Sequence, residues 1–288
     1  MNLDTWWGSG RHLAVRGADA AAYDLFVHES GAGPLVTFLH GYPSSSYDWH
    51  DVVEELGGHV RSLAPDLLGF GASSKPRGHA FSIGEQADLV EQLWENLAVT
   101  STVLVAHDYG TAVAQELLAR GAGGVTAVVL LNGAVYPELH GPTAVQTLLL
   151  GPDGPALAAL IDRTAFVEGL GATFGTAAPA TQEQLGQTWQ ALAREDGHLL
   201  AADLMYYVAD RAQHGRRWVA VMETTPLPLS FVWGMQDPVS GAHVLDEVHR
   251  RLPHARTREL GDVGHWPPLE APAEVARAVR DLVLGQAT

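Results

Sequence analysis

The chain has 288 residues, 47% of them hydrophobic, which is enough to bury one sizeable core carrying an insertion. A formal net charge of -16 is the wrong sign for a phosphate-binding face, so no nucleic-acid partner is expected. The absence of cysteine rules out a disulfide framework, a thiolate nucleophile and a thiolate metal site.

In chain order, short apolar runs predict strands at 21–28, 35–39, 59–64, 102–105 and 125–131. Helical patterns lie between them. The clearest is 85–97, where Leu89, Leu93 and Leu97 stack on one face with Val90 and Trp94 beside them. A second predicted helix runs from 111 to 120, with Val113 over Leu117 and Ala114 over Leu118. Strands alternating with helices predict an α/β fold with a mostly parallel sheet covered on both faces. From 136 to 225 the alternation stops. This stretch is rich in Ala, Leu, Gln and Gly and reads as helical, an inserted cap over the sheet's C-terminal edge. Strand signals return near 227–233 and 256–260, with helices expected at 241–252 and from 272 to about 284. The expected division is therefore a core of 1–135 with 226–288 and a cap of 136–225.

The most informative stretch is Ala106-His107-Asp108-Tyr109-Gly110, between a predicted strand and a predicted helix. Small residues at both ends of such a turn fit a nucleophile elbow, with Ala106 where glycine is usual. Asp108 at its tip, in place of serine, points to attack on a saturated carbon rather than on an acyl group. Further signals follow other predicted strands. These are His40-Gly41-Tyr42-Pro43, the turn from Asp66 to Ser73, Asp237 within GMQDP, and His265 within GHWPPLE. Nucleophile, acid and histidine therefore come in the order Asp108, Asp237, His265. Asp262 is the nearest competitor for the orienting acid, but its loop position fits less well.

These motifs together resemble the α/β hydrolases with an aspartate nucleophile, which include epoxide hydrolases and haloalkane dehalogenases. The resemblance covers nearly the full length. HDYG followed by VAQELLAR, with LNGAVYPE after it, is most similar to the mesoderm-specific transcript branch. The resemblance implies an eight-stranded sheet with an inserted helical cap. It also implies roles for individual residues. Asp108 would form an alkyl ester, His265 would activate water against that ester, and Asp237 would orient His265. The backbone N–H groups of Tyr42 and Tyr109 would hold the oxyanion. His40 and Asp66 are expected mainly to support loops, and Pro43 is a candidate for a cis peptide bond.

Two electrophiles fit an aspartate elbow. An epoxide needs an acid for the ring oxygen, and LMYY followed by Arg211 is similar to the family's second cap-tyrosine segment. That similarity favours Tyr207, with Tyr206 as the fallback. The early cap lacks a tyrosine, so Tyr136 at its entrance is the substitute for the first one. Substrate contacts are expected from His40, Tyr136, Tyr206 and Trp266. A haloalkane would need side-chain N–H donors for the departing halide, but Tyr109 and Tyr42 occupy the places where the family carries them. Asn132 stands where one dehalogenase branch has its acid, which leaves that role to Asp237. Epoxide hydrolysis is accordingly the leading expectation and dehalogenation the alternative. The expected substrate is a small apolar epoxide or halogenated compound.

No cofactor is expected, since no GxGxxG follows a strand and no GxxxxGK[ST] occurs. The 14 histidines are scattered, without an HExxH pair, so no metal is expected either. Residues 1–8 have neither a basic n-region nor an apolar one, and no long apolar run appears. The expectation is a cytoplasmic protein without membrane contact.

Overall fold

The computed structural model describes every residue except 177, 284 and 286–288. Eight strands form one sheet in the order β1-β2-β4-β3-β5-β6-β7-β8. They are β1 (Arg11–Arg16), β2 (Ala22–Ser30), β3 (Leu35–Leu39), β4 (Arg61–Pro65), β5 (Thr102–His107), β6 (Val125–Leu131), β7 (Leu229–Gly234) and β8 (Arg256–Leu260). β2 runs antiparallel to both β1 and β4, and the pairings from β4 to β8 are parallel.

The period-two geometry of a strand sends alternate side chains to opposite faces, and β5 shows the result. Leu104 and Ala106 join one core with the helices Ile83–Asn96 and Tyr109–Arg120, whereas Val103 and Val105 join a second core with the helices His50–Leu56 and Pro272–Val283. Both faces are covered, so the central strands β3 and β5 are buried along their whole length and mostly apolar.

β3 and β5 are neighbours, but the chain leaves β3 toward β4 on one side and leaves β5 toward β6 on the other. Such a reversal opens a crevice at the C-terminal ends of the two strands. His40-Gly41-Tyr42 follows β3 and Asp108 follows β5, so the sheet topology brings both motifs to that crevice.

Between β6 and β7 the described residues contain helices and turns and no strand. The helices include Ala144–Leu149, Arg163–Gly171, Gln182–Ala193 and the long Tyr207–Thr224. The N-terminal helix Leu3–Ser9 and strand β1 are additions to the elements expected from sequence. Among the described residues, no helix is long and apolar enough to cross a membrane.

Candidate active site

β5 runs two residues past its predicted end, through Ala106 and His107, and delivers the chain directly into the turn. Asp108 is held there at φ 45° and ψ -109°, a sparsely populated conformation for a residue with a side chain. The helix Tyr109–Arg120 begins at the next residue, and its first turn packs tightly on β3. A Cβ at Gly110 would sit 2.4 Å from the carbonyl oxygen of Leu39, so only glycine fits this approach.

The Asp108 carboxylate has two different surroundings. Oδ2 accepts from the Tyr42 N–H at 3.0 Å, while Oδ1 lies 4.0 Å from His265 Nε2. The Tyr42 N–H is presented by the turn after β3, where the Tyr42–Pro43 peptide bond is cis. The N–H of Tyr109 is the first of its helix, one of the groups that have no acceptor within the helix itself.

His265 Nδ1 contacts Asp237 Oδ2 at 2.8 Å. Asp237 is itself fixed by Val239 N at 2.7 Å, Ser240 Oγ at 2.8 Å and Asn132 Nδ2 at 2.9 Å. Asn132 also exchanges hydrogen bonds with the main chain of Gly234, so it ties the end of β6 to the end of β7. Asp262, the competing acid, is exposed to solvent. Burial alone would raise the Asp237 carboxyl, but the charge and hydrogen bond of His265 outweigh it and hold the group well below the carboxylate range. For His265, burial works downward, and the charge and hydrogen bond of Asp237 with the charge of Asp108 push it up to about 9.

The loop carrying His265 is anchored from several sides. His107 Nε2 donates to the His265 carbonyl at 2.7 Å, and the His265 N–H donates to Thr173 O at 2.8 Å. The Glu270 carboxylate accepts from the N–H groups of Gly264, Trp266 and Gly175. The helical segment between β6 and β7 therefore holds this loop in place through Thr173 and Gly175.

Tyr207 is buried, and its hydroxyl makes no hydrogen bond. Burial and then the Asp108 charge push its pKa up from 10.0, so the phenol stays protonated. Its ring lies 5.0 Å from that of Tyr109 and 6.4 Å from that of Tyr42, whose own hydroxyl is taken up by the Ala201 carbonyl at 3.2 Å. Tyr206, the fallback, is 61% exposed and points away from this group.

The three other residues expected to touch substrate are held as follows. Tyr136 is fully buried with the Arg251 guanidinium 4.5 Å over its ring, and the charges that bear on it are those of Glu223, Arg251, Glu247 and Glu138 rather than Asp108. His40 has both ring nitrogens engaged, Nε2 accepting from Leu67 N at 3.0 Å and Nδ1 donating to Gly41 O at 2.8 Å. Trp266 gives its indole N–H to Thr173 Oγ1 at 2.8 Å and packs against His107 and His265.

Two side chains at this site had no role in the sequence reading. Both ring nitrogens of His140 are buried without a partner, and the charges acting on the ring are those of Arg211, Asp108, His265 and Asp237. Burial, then Arg211, pull its pKa down to about 4, so the ring is neutral. Arg211 is 3% exposed and stacks 4.5 Å over the Tyr207 ring. His140 was legible only as one of many scattered histidines, and Arg211 only as a marker for aligning Tyr207. Among the described residues no group of His, Asp and Glu is arranged to hold a metal ion.

Comparison with known proteins agrees with this architecture. Residues 34–272 match the family described as alpha/beta hydrolase fold. A Mycobacterium tuberculosis protein named LipZ is 38% identical over 286 residues, covering 97% of each chain. The mesoderm-specific transcript protein of Mus musculus is 36% identical over 283 residues, covering 94% of this chain and 84% of its own. Among solved structures, haloalkane dehalogenase DbeA from Bradyrhizobium elkani superposes with a TM-score of 0.80 at 26% identity, covering 96% of this chain and 98% of that one.

Proposed function

Because the chain belongs to the α/β hydrolase fold family, within the epoxide hydrolase and haloalkane dehalogenase superfamily, we propose that it adds water to an epoxide by way of an alkyl ester on Asp108. The observation that carries this reading is the buried, protonated hydroxyl of Tyr207, whose ring packs 5.0 Å from that of Tyr109, the residue after Asp108. An epoxide oxygen needs a proton when its ring opens, whereas a departing halide needs hydrogen bonds but no proton.

In the proposed cycle Asp108 Oδ1 attacks a ring carbon as the C–O bond to the ring oxygen breaks. The Tyr207 hydroxyl gives its proton to that oxygen, and the neutral, unpartnered His140 ring would contribute a second hydrogen bond. Alkylation makes Asp108 neutral, which removes one of the charges that hold His265 up at about 9. His265 then reaches its neutral form more readily and takes a proton from water as the water attacks the ester carbonyl. The resulting oxyanion forms where Oδ2 already meets the Tyr42 N–H, at the start of a helix whose dipole favours negative charge. Collapse expels the second diol oxygen, which takes the proton of the newly formed Asp108 carboxyl, and the proton on His265 returns to the tyrosinate. Asp237 stays ionised throughout and keeps Nδ1 protonated.

The test is diol formation from styrene oxide, with Asp108→Ala as the blank. Turnover above that blank supports the reading. No diol, accompanied by halide release from bromoalkanes, would transfer the same three side chains to dehalogenation.

A further inference from the structure

The cap supplies a charge that the cycle above does not use. Arg211 lies one helical turn after Tyr207 on the helix Tyr207–Thr224, so the two project from the same face. Its Nη2 lies a long 3.4 Å from the main-chain oxygen of Asp108, and its guanidinium stacks over the Tyr207 ring. Its Nε and Nη1 are buried with no partner, and Arg211 takes part in no ion pair among the described residues. An arginine keeps its proton at every relevant pH. A buried charge without a counter-charge is costly, and removing one from water is ordinarily offset by a carboxylate or phosphate. This one touches the nucleophile's own residue.

We infer that Arg211 is the recognition site for an anionic oxygen group of the substrate, specifically a carboxylate on or next to the carbon that Asp108 attacks. The substrate class is then the short 2,3-epoxy acids, which water converts to 2,3-dihydroxy acids with the carboxylate unchanged. A group held by Arg211 lies close to the nucleophile's residue, because the guanidinium reaches the Asp108 main-chain oxygen. The fork of N–H groups suits a carboxylate, which can take two parallel hydrogen bonds. Nearby charge does not forbid the anion from binding, since Asp108 is then balanced by a protonated His265. On a chain of net charge -16, an isolated buried cation at the nucleophile is a specific feature rather than part of a general background.

The reaction part of this inference rests on the epoxide reading, whereas the binding part does not, and the experiment separates them. Binding of propanoate against propanamide, and of phenylacetate against phenylacetamide, is measured by saturation-transfer NMR titration on the whole protein. Within at least one pair the wild type is expected to favour the acid at least ten-fold. Arg211→Gln should lose that preference and Arg211→Lys should keep part of it. A wild type that does not discriminate acid from amide, including one that binds neither, overturns the inference, as does an Arg211→Gln variant that keeps the preference. Turnover of 3-phenylglycidate and of its methyl amide is then compared. Faster hydrolysis of the acid, reduced selectively by Arg211→Gln, supports the full proposal. Selective acid binding without turnover of either compound would leave Arg211 as an anion site and overturn the epoxide reading.

Discussion

The main-chain N–H of Tyr42 holds Oδ2 of Asp108 at 3.0 Å, and Oδ1 is left facing His265. The two oxygens of one carboxylate are thereby given different tasks. In the proposed cycle the held oxygen becomes the ester carbonyl, and the free one forms the bond to carbon. A single turnover with enzyme in excess in ¹⁸O-water should therefore yield unlabelled diol, and the label should appear in the Asp108 peptide. Diol that carries ¹⁸O from the first turnover would mean direct attack by water and would remove the ester from the cycle.

His265→Gln should still be alkylated but should stall, because nothing remains to deprotonate water. Mass spectrometry of the Asp108 peptide after incubation with styrene oxide reads the outcome, with a persistent adduct expected. An inactive variant without the adduct would place His265 before alkylation or make its role purely structural.

The same histidine sets two opposed pH dependences. Its pKa is raised from 6.5 to about 9 in the folded chain, so its contribution to stability is complete below pH 6.5 and fades as pH rises through 9. Urea midpoints of the wild type should fall across that window, and the fall should be smaller in His265→Gln. Ester hydrolysis runs the other way, because it needs the neutral ring. Its rate should rise with pH, with a midpoint below about 9 because alkylation has removed the Asp108 charge. A rate that stays flat from pH 6 to 9 would argue against His265 as the base.

Tyr207→Phe should lower kcat on epoxides by roughly 10²-fold or more, the usual scale for loss of a positioned acid. Tyr206→Phe should leave it unchanged, since that side chain is out in solvent. The pair serves as its own control, and equal losses in both variants would contradict the assignment.

Gly110→Ala tests the elbow itself. The added methyl would meet two main-chain oxygens, Leu39 O at 2.4 Å and His40 O at 2.9 Å, with no flexible side chain to yield. Overpacking of this kind costs about 1–3 kcal/mol or more. For a chain of this size that is a fall of about 2–4 °C in melting temperature per kcal/mol. Unaltered melting and activity would show that the helix can withdraw from β3.

The sequence shows what periodicity and chain order can carry. β3 and β6 appear where their apolar runs place them, because strands covered on both faces carry few polar positions to blur the signal. β1 gives no such signal. It is an edge strand, mostly exposed, and its residues Arg11, His12 and Arg16 read as loop. β4 starts at Arg61 rather than at His59, since Gly57 and Gly58 at positive φ keep the chain turning before it. Asp108, Asp237 and His265 could be located because each follows a strand in a fixed order. Tyr136 could not be judged that way. Whether it meets Asp108 or Arg251 depends on how the chain leaves β6, and no local pattern records that path. His140 and Arg211 are invisible for the same reason, because their significance lies in what surrounds them in space.

The division of labour along the chain bears on how new specificities could arise here. The groups that would break and hydrolyse the ester sit on loops after β3, β5, β7 and β8, while His140, Tyr207 and Arg211 all come from the stretch between β6 and β7. Random changes in that stretch can therefore alter which molecule is accepted without moving the hydrolytic apparatus, and a library built on positions 140, 207 and 211 would explore substrates at little risk to the sheet. One short part of the insert is not free to vary in this way. Thr173 and Gly175 clasp the histidine loop through main-chain hydrogen bonds, so a transplanted insert has to reproduce that clasp before it can confer any activity at all.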